Sequence, residues 1–110
     1  MIADDSELVE YLSALANARR IAVLRALAAG ETSVSNLAEC IGISQPALSQ
    51  HLNILRRHQL VKTRREAQTI YYSLSHHRSE KALALVNDIL FPYGIQMSMF
   101  GFSDLAPAAA

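Results

Sequence analysis

A mainly α-helical chain with one β-hairpin in its second half is the fold class that this sequence predicts, on three observations. Apolar residues recur every three or four positions through most of the first 57 residues and again from 79 to 91. Between them, residues 60 to 74 change to two short runs rich in Val, Thr, Ile and Tyr, the pattern of paired strands. Asn17, Gly30 and Gly42 interrupt the helical period, and these residue types begin or end helices.

At 110 residues and 51% hydrophobic, the chain is read as one domain, with a real core yet small enough that pairing with a second copy would help bury its apolar half. It shows no apolar run of 18 residues and no charged-then-apolar leader, so neither a membrane span nor a signal peptide is expected, and the expected location is the cytoplasm. Cys40 is the one cysteine and cannot form an internal disulfide, which fits a reducing compartment.

Residues 1 to 5 read as a frayed, acidic and flexible start. From Ser6, taken as an N-cap, Leu8, Tyr11, Leu12 and Leu15 form the stripe of an amphipathic helix. Asn17 caps a second helix carrying Ile21, Val23, Leu24, Leu27 and Ala28, which ends at Gly30. Arg19 and Arg20 stand in its first turn, against the helix dipole, so a phosphate contact or a salt bridge is the expected reason for them. A short third helix spans Ser33 or Val34 to about Cys40, with Val34, Leu37 and Ile41 inward.

Gly42-Ile43-Ser44-Gln45-Pro46 then reads as a left-handed helix end, a cap and a new helix start. Over residues 44 to 57, Leu48, Leu52 and Leu55 share one stripe, leaving Pro46, Ser49, Gln50 and Asn53 on the opposite face with Gln45 at its edge. That outer face carries hydroxyls and amides but no carboxylate. Gln bonds bidentately to adenine and Ser donates or accepts, whereas Asp or Glu would repel phosphates, so this helix is expected to read base edges in a DNA major groove. Two helices joined by a three-to-four-residue turn have the dimensions of a helix-turn-helix.

The charge supports that assignment once it is divided along the chain. The formal net charge is zero, but residues 1 to 43 carry −3, residues 44 to 78 carry +5 and the remainder −2. A Debye length of roughly 8 Å lets a local basic segment act within a neutral protein. An ordinary solvated charge run is the alternative reading.

Leu60 to Arg64 and Thr69 to Leu74 are the expected strands. Their connection, Arg65-Glu66-Ala67-Gln68, lacks the Asn-Gly or Asp-Gly of a two-residue loop, so a longer, mobile tip is expected. Arg64 and Arg65, with Gln68 and Thr69 beside them, suit a wing lying along a minor groove. Arg19, Arg56, Arg57 and Lys62 are further phosphate candidates.

Leu83, Val86, Ile89 and Leu90 make a last amphipathic stripe from Ser79 to Phe91, stopped by Pro92. It and the first helix are expected to pair across a two-fold axis, with Leu8, Leu12, Leu15, Leu83, Val86, Ile89 and Leu90 as the dimerisation residues. Dimer symmetry then sets two reading helices roughly 34 Å apart, one DNA turn, and predicts an inverted-repeat operator. The assembled expectation is a winged helix-turn-helix of about five helices and a two-stranded wing, occupying residues 6–91. The apolar tail, 92–110, has no clear period and is expected to be partly disordered; it could also cover the dimer seam or line a ligand pocket.

Four segments, 15–21, 33–38, 43–52 and 64–72, resemble the ArsR/SmtB family of bacterial winged-helix repressors, and the likeness runs from about residue 8 to 90. The reading helix and wing look most like a metal-independent branch that includes nodulation and virulence regulators. The resemblance implies a homodimer on promoter DNA, usually a repressor, released or modulated by a signal. One metal site of the family needs two thiols at positions equivalent to Ser33 and Ser35, and hydroxyls are poor ligands for soft metals. A second family site would open at His76, His77 and Arg78, where the remaining tetrahedral ligands are missing. No metal or other cofactor is therefore expected. Redox sensing in relatives uses a cysteine pair, whereas Cys40 is alone and is expected to be a buried spectator.

No Gly-rich phosphate loop, His-Glu-x-x-His or Gly-x-Ser-x-Gly is present, so no enzyme activity is expected. The expected partners are double-stranded DNA and a second copy of the chain. Two alternatives stay open: a winged-helix module whose basic face holds an acidic protein, and a repressor responding to a small molecule bound near the dimer seam.

Overall fold

The computed structural model describes residues 5–90. Its elements run α1 (Ser6–Leu15), α2 (Ala18–Ala28), β1 (Thr32–Ser33), α3 (Val34–Ile41), α4 (Gln45–Arg57), β2 (Val61–Glu66), β3 (Thr69–Leu74) and α5 (His76–Leu90). The expectations for residues 1–4, Phe91, Pro92 and the tail to residue 110 lie outside the described residues, as does that for the side chain of Leu90.

Local chemistry sets most of these boundaries. The Asn17 side chain accepts from the amides of Arg19 and Arg20 at 3.0 and 3.1 Å and opens α2. Ser33 caps α3 by accepting from the Asn36 amide at 3.3 Å, and Ser44 caps α4 by accepting from Ala47 at 3.2 Å. Gly42 closes α3 at φ 82°, where a side chain is disfavoured, and the amides of Gly42 and Ile43 both return to the Ala38 carbonyl.

The core forms where α2, α3 and α4 meet the strands. Val23, Leu24, Leu37, Leu48, Leu52, Leu55 and Leu60 are fully buried, and Tyr72 brings the sheet into the same cluster. Truncating one such leucine to alanine costs about 2 to 5 kcal/mol, so these contacts hold α4 in place.

Four local expectations are corrected. The sheet has three antiparallel strands in the order β1-β3-β2, because Thr32 and Ser33 pair with Tyr72 and Tyr71; two residues are too few to show a strand period. The hairpin tip is tight, since Glu66 pairs with Thr69 and only Ala67 and Gln68 connect the strands. Ala67 takes φ 56° there, a conformation for which alanine gives no sequence signal. Ser6 lies inside α1 rather than capping it, with Asp5 at the cap position and no side-chain cap bond. Finally, α5 begins at His76, one turn before the apolar stripe that revealed it; Ser79 is buried and its hydroxyl donates to the Ser75 carbonyl.

Candidate nucleic-acid interface

The turn between α3 and α4 is three residues, 42 to 44, and it leaves α4 with two distinct faces. Leu48, Leu52 and Leu55 point inward, while Ser44, Gln45, Pro46, Ser49, Gln50 and Asn53 are exposed. No carboxylate occurs in the helix, and Arg56 and Arg57 end it, both exposed and favourable to the negative pole of its dipole. The structure thus gathers all five residues expected to read or support base contacts onto one solvent-facing strip. Such a strip offers donors and acceptors to base edges without repelling phosphate.

The wing distributes its charge differently. Lys62, Arg65, Gln68 and Thr69 are exposed along the hairpin, and Arg65 has no ion pair among the described residues. Arg64 is engaged within the protein. Its Nε and Nη2 donate to Glu31 Oε2 and Oε1 at 3.1 and 2.9 Å, and Nη1 donates to Glu66 Oε1 at 3.0 Å. Its guanidinium also lies over the Tyr71 ring, 4.7 Å from the centroid. Hydrogen bonds from Arg64 hold the Glu31 carboxyl below its ordinary range, and the two carboxylates raise the guanidinium further above its own. Glu31 sits in the connection before β1, so sequence distance hid this partner.

Of the paired arginines on α2, Arg19 is exposed and donates to the Ile41 carbonyl at the end of α3, at 3.4 Å. Arg20 is half-buried and has no ion pair among the described residues. It donates to backbone carbonyls of α1 and to the ring of His51 on α4. Burial lowers the proton affinity of His51, and the nearby charges of Arg20 and Arg19 lower it further.

Away from this surface, α1 and α5 frame an open apolar groove of about 350 Å³, lined by Leu12, Leu15, Ala16, Ile21, Leu85, Val86 and Ile89. Leu8 and Ile89 are 53% and 69% exposed, and Leu12 is also exposed. Leu15 and Val86, at 4% and 8%, belong to the protomer's own interior and form the groove's floor rather than a protruding contact. Leu83 is half-buried against the core. Sequence periodicity missed Val9 and Leu85, both exposed and apolar.

Cys40 is exposed, not buried, because the inward stripe of α3 runs through Leu37, Ala38 and Ile41 and leaves position 40 outside. The Ser33 and Ser35 hydroxyls lie 3.5 Å apart, with Ser33 spent on capping. Among the described residues no group of three or more His, Cys, Asp or Glu could hold a metal, and no helix is long and apolar enough to cross a membrane.

Comparison with known proteins places this geometry. A family model described as bacterial regulatory protein, arsR family, matches residues 17–63. Nodulation protein NolR of Rhizobium meliloti is 48% identical over 87 residues, covering 78% of this chain and 71% of the relative. Transcriptional activator HlyU of Vibrio cholerae is 49% identical over 72 residues, 66% of this chain and 67% of the relative, and a biofilm growth-associated repressor of Xylella fastidiosa is 40% identical over 82 residues, 74% and 69%. Among solved structures, NolR from Sinorhizobium fredii superposes with a TM-score of 0.71 at 42% identity, covering 87% of this chain and 100% of that one. A homodimeric winged helix-turn-helix DNA-binding domain of Mycobacterium bovis gives 0.71 at 28% identity, with 86% and 94% covered. From the winged architecture, the exposed polar helix and relatives matched over most of their length, the chain belongs to the ArsR family of bacterial regulatory proteins.

Proposed function

We propose that this chain is a sequence-specific regulator of transcription that binds double-stranded DNA as a homodimer on an inverted-repeat operator and acts as a repressor. One observation carries the reading: the exposed face of α4 holds Gln45, Ser49, Gln50 and Asn53 with no carboxylate, inside the chain's basic segment. Gln45, Ser49 and Gln50 read bases, with Asn53 and Ser44 supporting. Arg65, Gln68 and Thr69 enter the groove beside the wing, and Arg19, Arg56, Arg57 and Lys62 meet phosphates.

The apolar groove between α1 and α5 supports pairing of two protomers there, and the homodimeric state of the Mycobacterium bovis domain supports pairing as such. One relative is named a repressor and another an activator, so the repressor reading is tested by transcription of the genes beside the bound fragments with and without the protein. The reading assigns no catalysis, no metal and no membrane role, and it places the protein in the bacterial cytoplasm with the DNA.

The test is selection of bound fragments from genomic DNA, followed by gel shifts across a range of salt. The expected result is an inverted repeat whose half-site centres are about one helical turn apart, bound with an affinity that falls linearly in the logarithm of salt concentration. Absence of DNA binding even at low salt overturns the reading and favours a basic surface that holds an acidic protein.

A further inference from the structure

The guanidinium of Arg20 joins three helices. Its Nε donates to the Ala14 carbonyl at 2.6 Å and Nη2 to the Ser13 carbonyl at 3.1 Å, both at the end of α1, while Nη1 lies 3.2 Å from Nδ1 of His51 on α4. Both carbonyls lie in the last turn of α1, where that of Ser13 also accepts from the Ala16 amide at 3.2 Å, and a cation there meets the negative pole of the dipole. A guanidinium nitrogen only donates, so Nδ1 is the bare acceptor and the ring proton resides on Nε2. Burial and the neighbouring arginines favour that neutral ring.

His51 stands between Gln50, on the exposed face, and Leu52, in the core. The leucine stripe seats α4 by close packing. A planar fork with fixed donor directions adds a directional constraint tied to α1.

We propose that Arg20 and His51 are positioning residues: they brace the reading helix against the end of α1 and so set the half-site spacing that a dimer accepts. This inference rests on the DNA-reading role of α4 and on α1 lying at the dimer seam. Neither side chain reads a base.

The experiment uses the full chain and operators with the selected spacing or with one base pair added or removed. Arg20→Gln and His51→Leu are each expected to bind the selected spacing about tenfold more weakly while discriminating less among spacings, and the double variant is expected to be no weaker than the weaker single one, as for residues acting through one contact. Light scattering shows a dimer in each case, and the slope of affinity against salt stays that of the parent chain. His51→Gln, whose amide oxygen also accepts from Arg20, restores the spacing preference. Unchanged spacing preference in the variants overturns the proposal, and so does a salt slope reduced by about one, which marks a lost phosphate contact. Should Arg20→Gln fail to fold, the pair His51→Leu and His51→Gln carries the same comparison. A parent chain that selects no operator overturns the functional reading itself, whereas a parent that binds while its variants keep its spacing preference overturns the brace alone.

Discussion

The reading helix and the wing present positive charge in opposite ways. On α4 the exposed face is neutral and polar, with Arg56 and Arg57 at its end and no carboxylate in the helix. On the wing, Arg64 lies between Glu31 and Glu66 while Arg65, the next residue, has no ion pair among the described residues. The comparison teaches that arginine count does not measure the charge a surface offers. Part of the wing's charge is already answered by the protein, so under the proposed function the helix would discriminate and the wing would add limited, salt-sensitive attraction.

The largest expected effect breaks the comparison at its base. Leu52→Ala removes a fully buried side chain from the seat of α4, and denaturant titration should show a loss of about 2 to 5 kcal/mol. Gln50→Ala or Gln45→Ala should cost about 1 to 3 kcal/mol of discrimination against altered operators, with little change in melting temperature. On the wing, Arg65→Ala should reduce the salt slope by about one for every sequence, and Arg64→Ala by less. Conversely, Glu31→Gln removes one of the two carboxylates that neutralise Arg64 and should strengthen binding to specific and unrelated DNA alike, read by anisotropy titration on both.

Acidity separates the same regions. The proton affinity of His51 is lowered in the folded chain, so the unfolded chain takes up a proton first as pH falls below the ordinary histidine value near 6.5. Stability from its neutral contact is in place above that value and declines as pH drops toward the folded value. The lowered Glu31 carboxyl follows the same sign, its stability present above the ordinary value of 4.5 and lost as pH falls through the folded value. Melting temperature against pH should therefore fall in two stages for the parent chain and lose the upper stage in His51→Gln. The smallest effect is at the hairpin tip, where Ala67→Gly relieves the φ 56° conformation but loosens the unfolded chain, a net change within about 1 kcal/mol by melting.

What was legible in the sequence was what neighbouring residues decide. Asn17, Ser33, Gly42 and Ser44 act within three to five residues of themselves, so helix starts, the α3 end and the two faces of α4 could be read from the chain alone. The contacts that qualify the site join distant residues: Arg64 to Glu31 across 33 positions, and Arg20 to His51 across 31. Charge composition registers such residues but not their partners, so neither the carboxylates around Arg64 nor the carbonyls and ring around Arg20 could be read from the chain. Strand β1 escaped because its two residues owe their conformation to β3, not to any pattern of their own. Cys40 was misplaced although the signal was present, since two residues beyond Ala38 is nearly the far side of a helix.

That outward thiol has a practical consequence. The chain contains one cysteine, and it lies on the surface of α3 five residues before the reading helix begins. A spin label attached there without any engineering would occur twice in a paired molecule, and the separation of the two labels would report, like a built-in ruler, how far apart and at what tilt the two reading helices are held before and after operator is added.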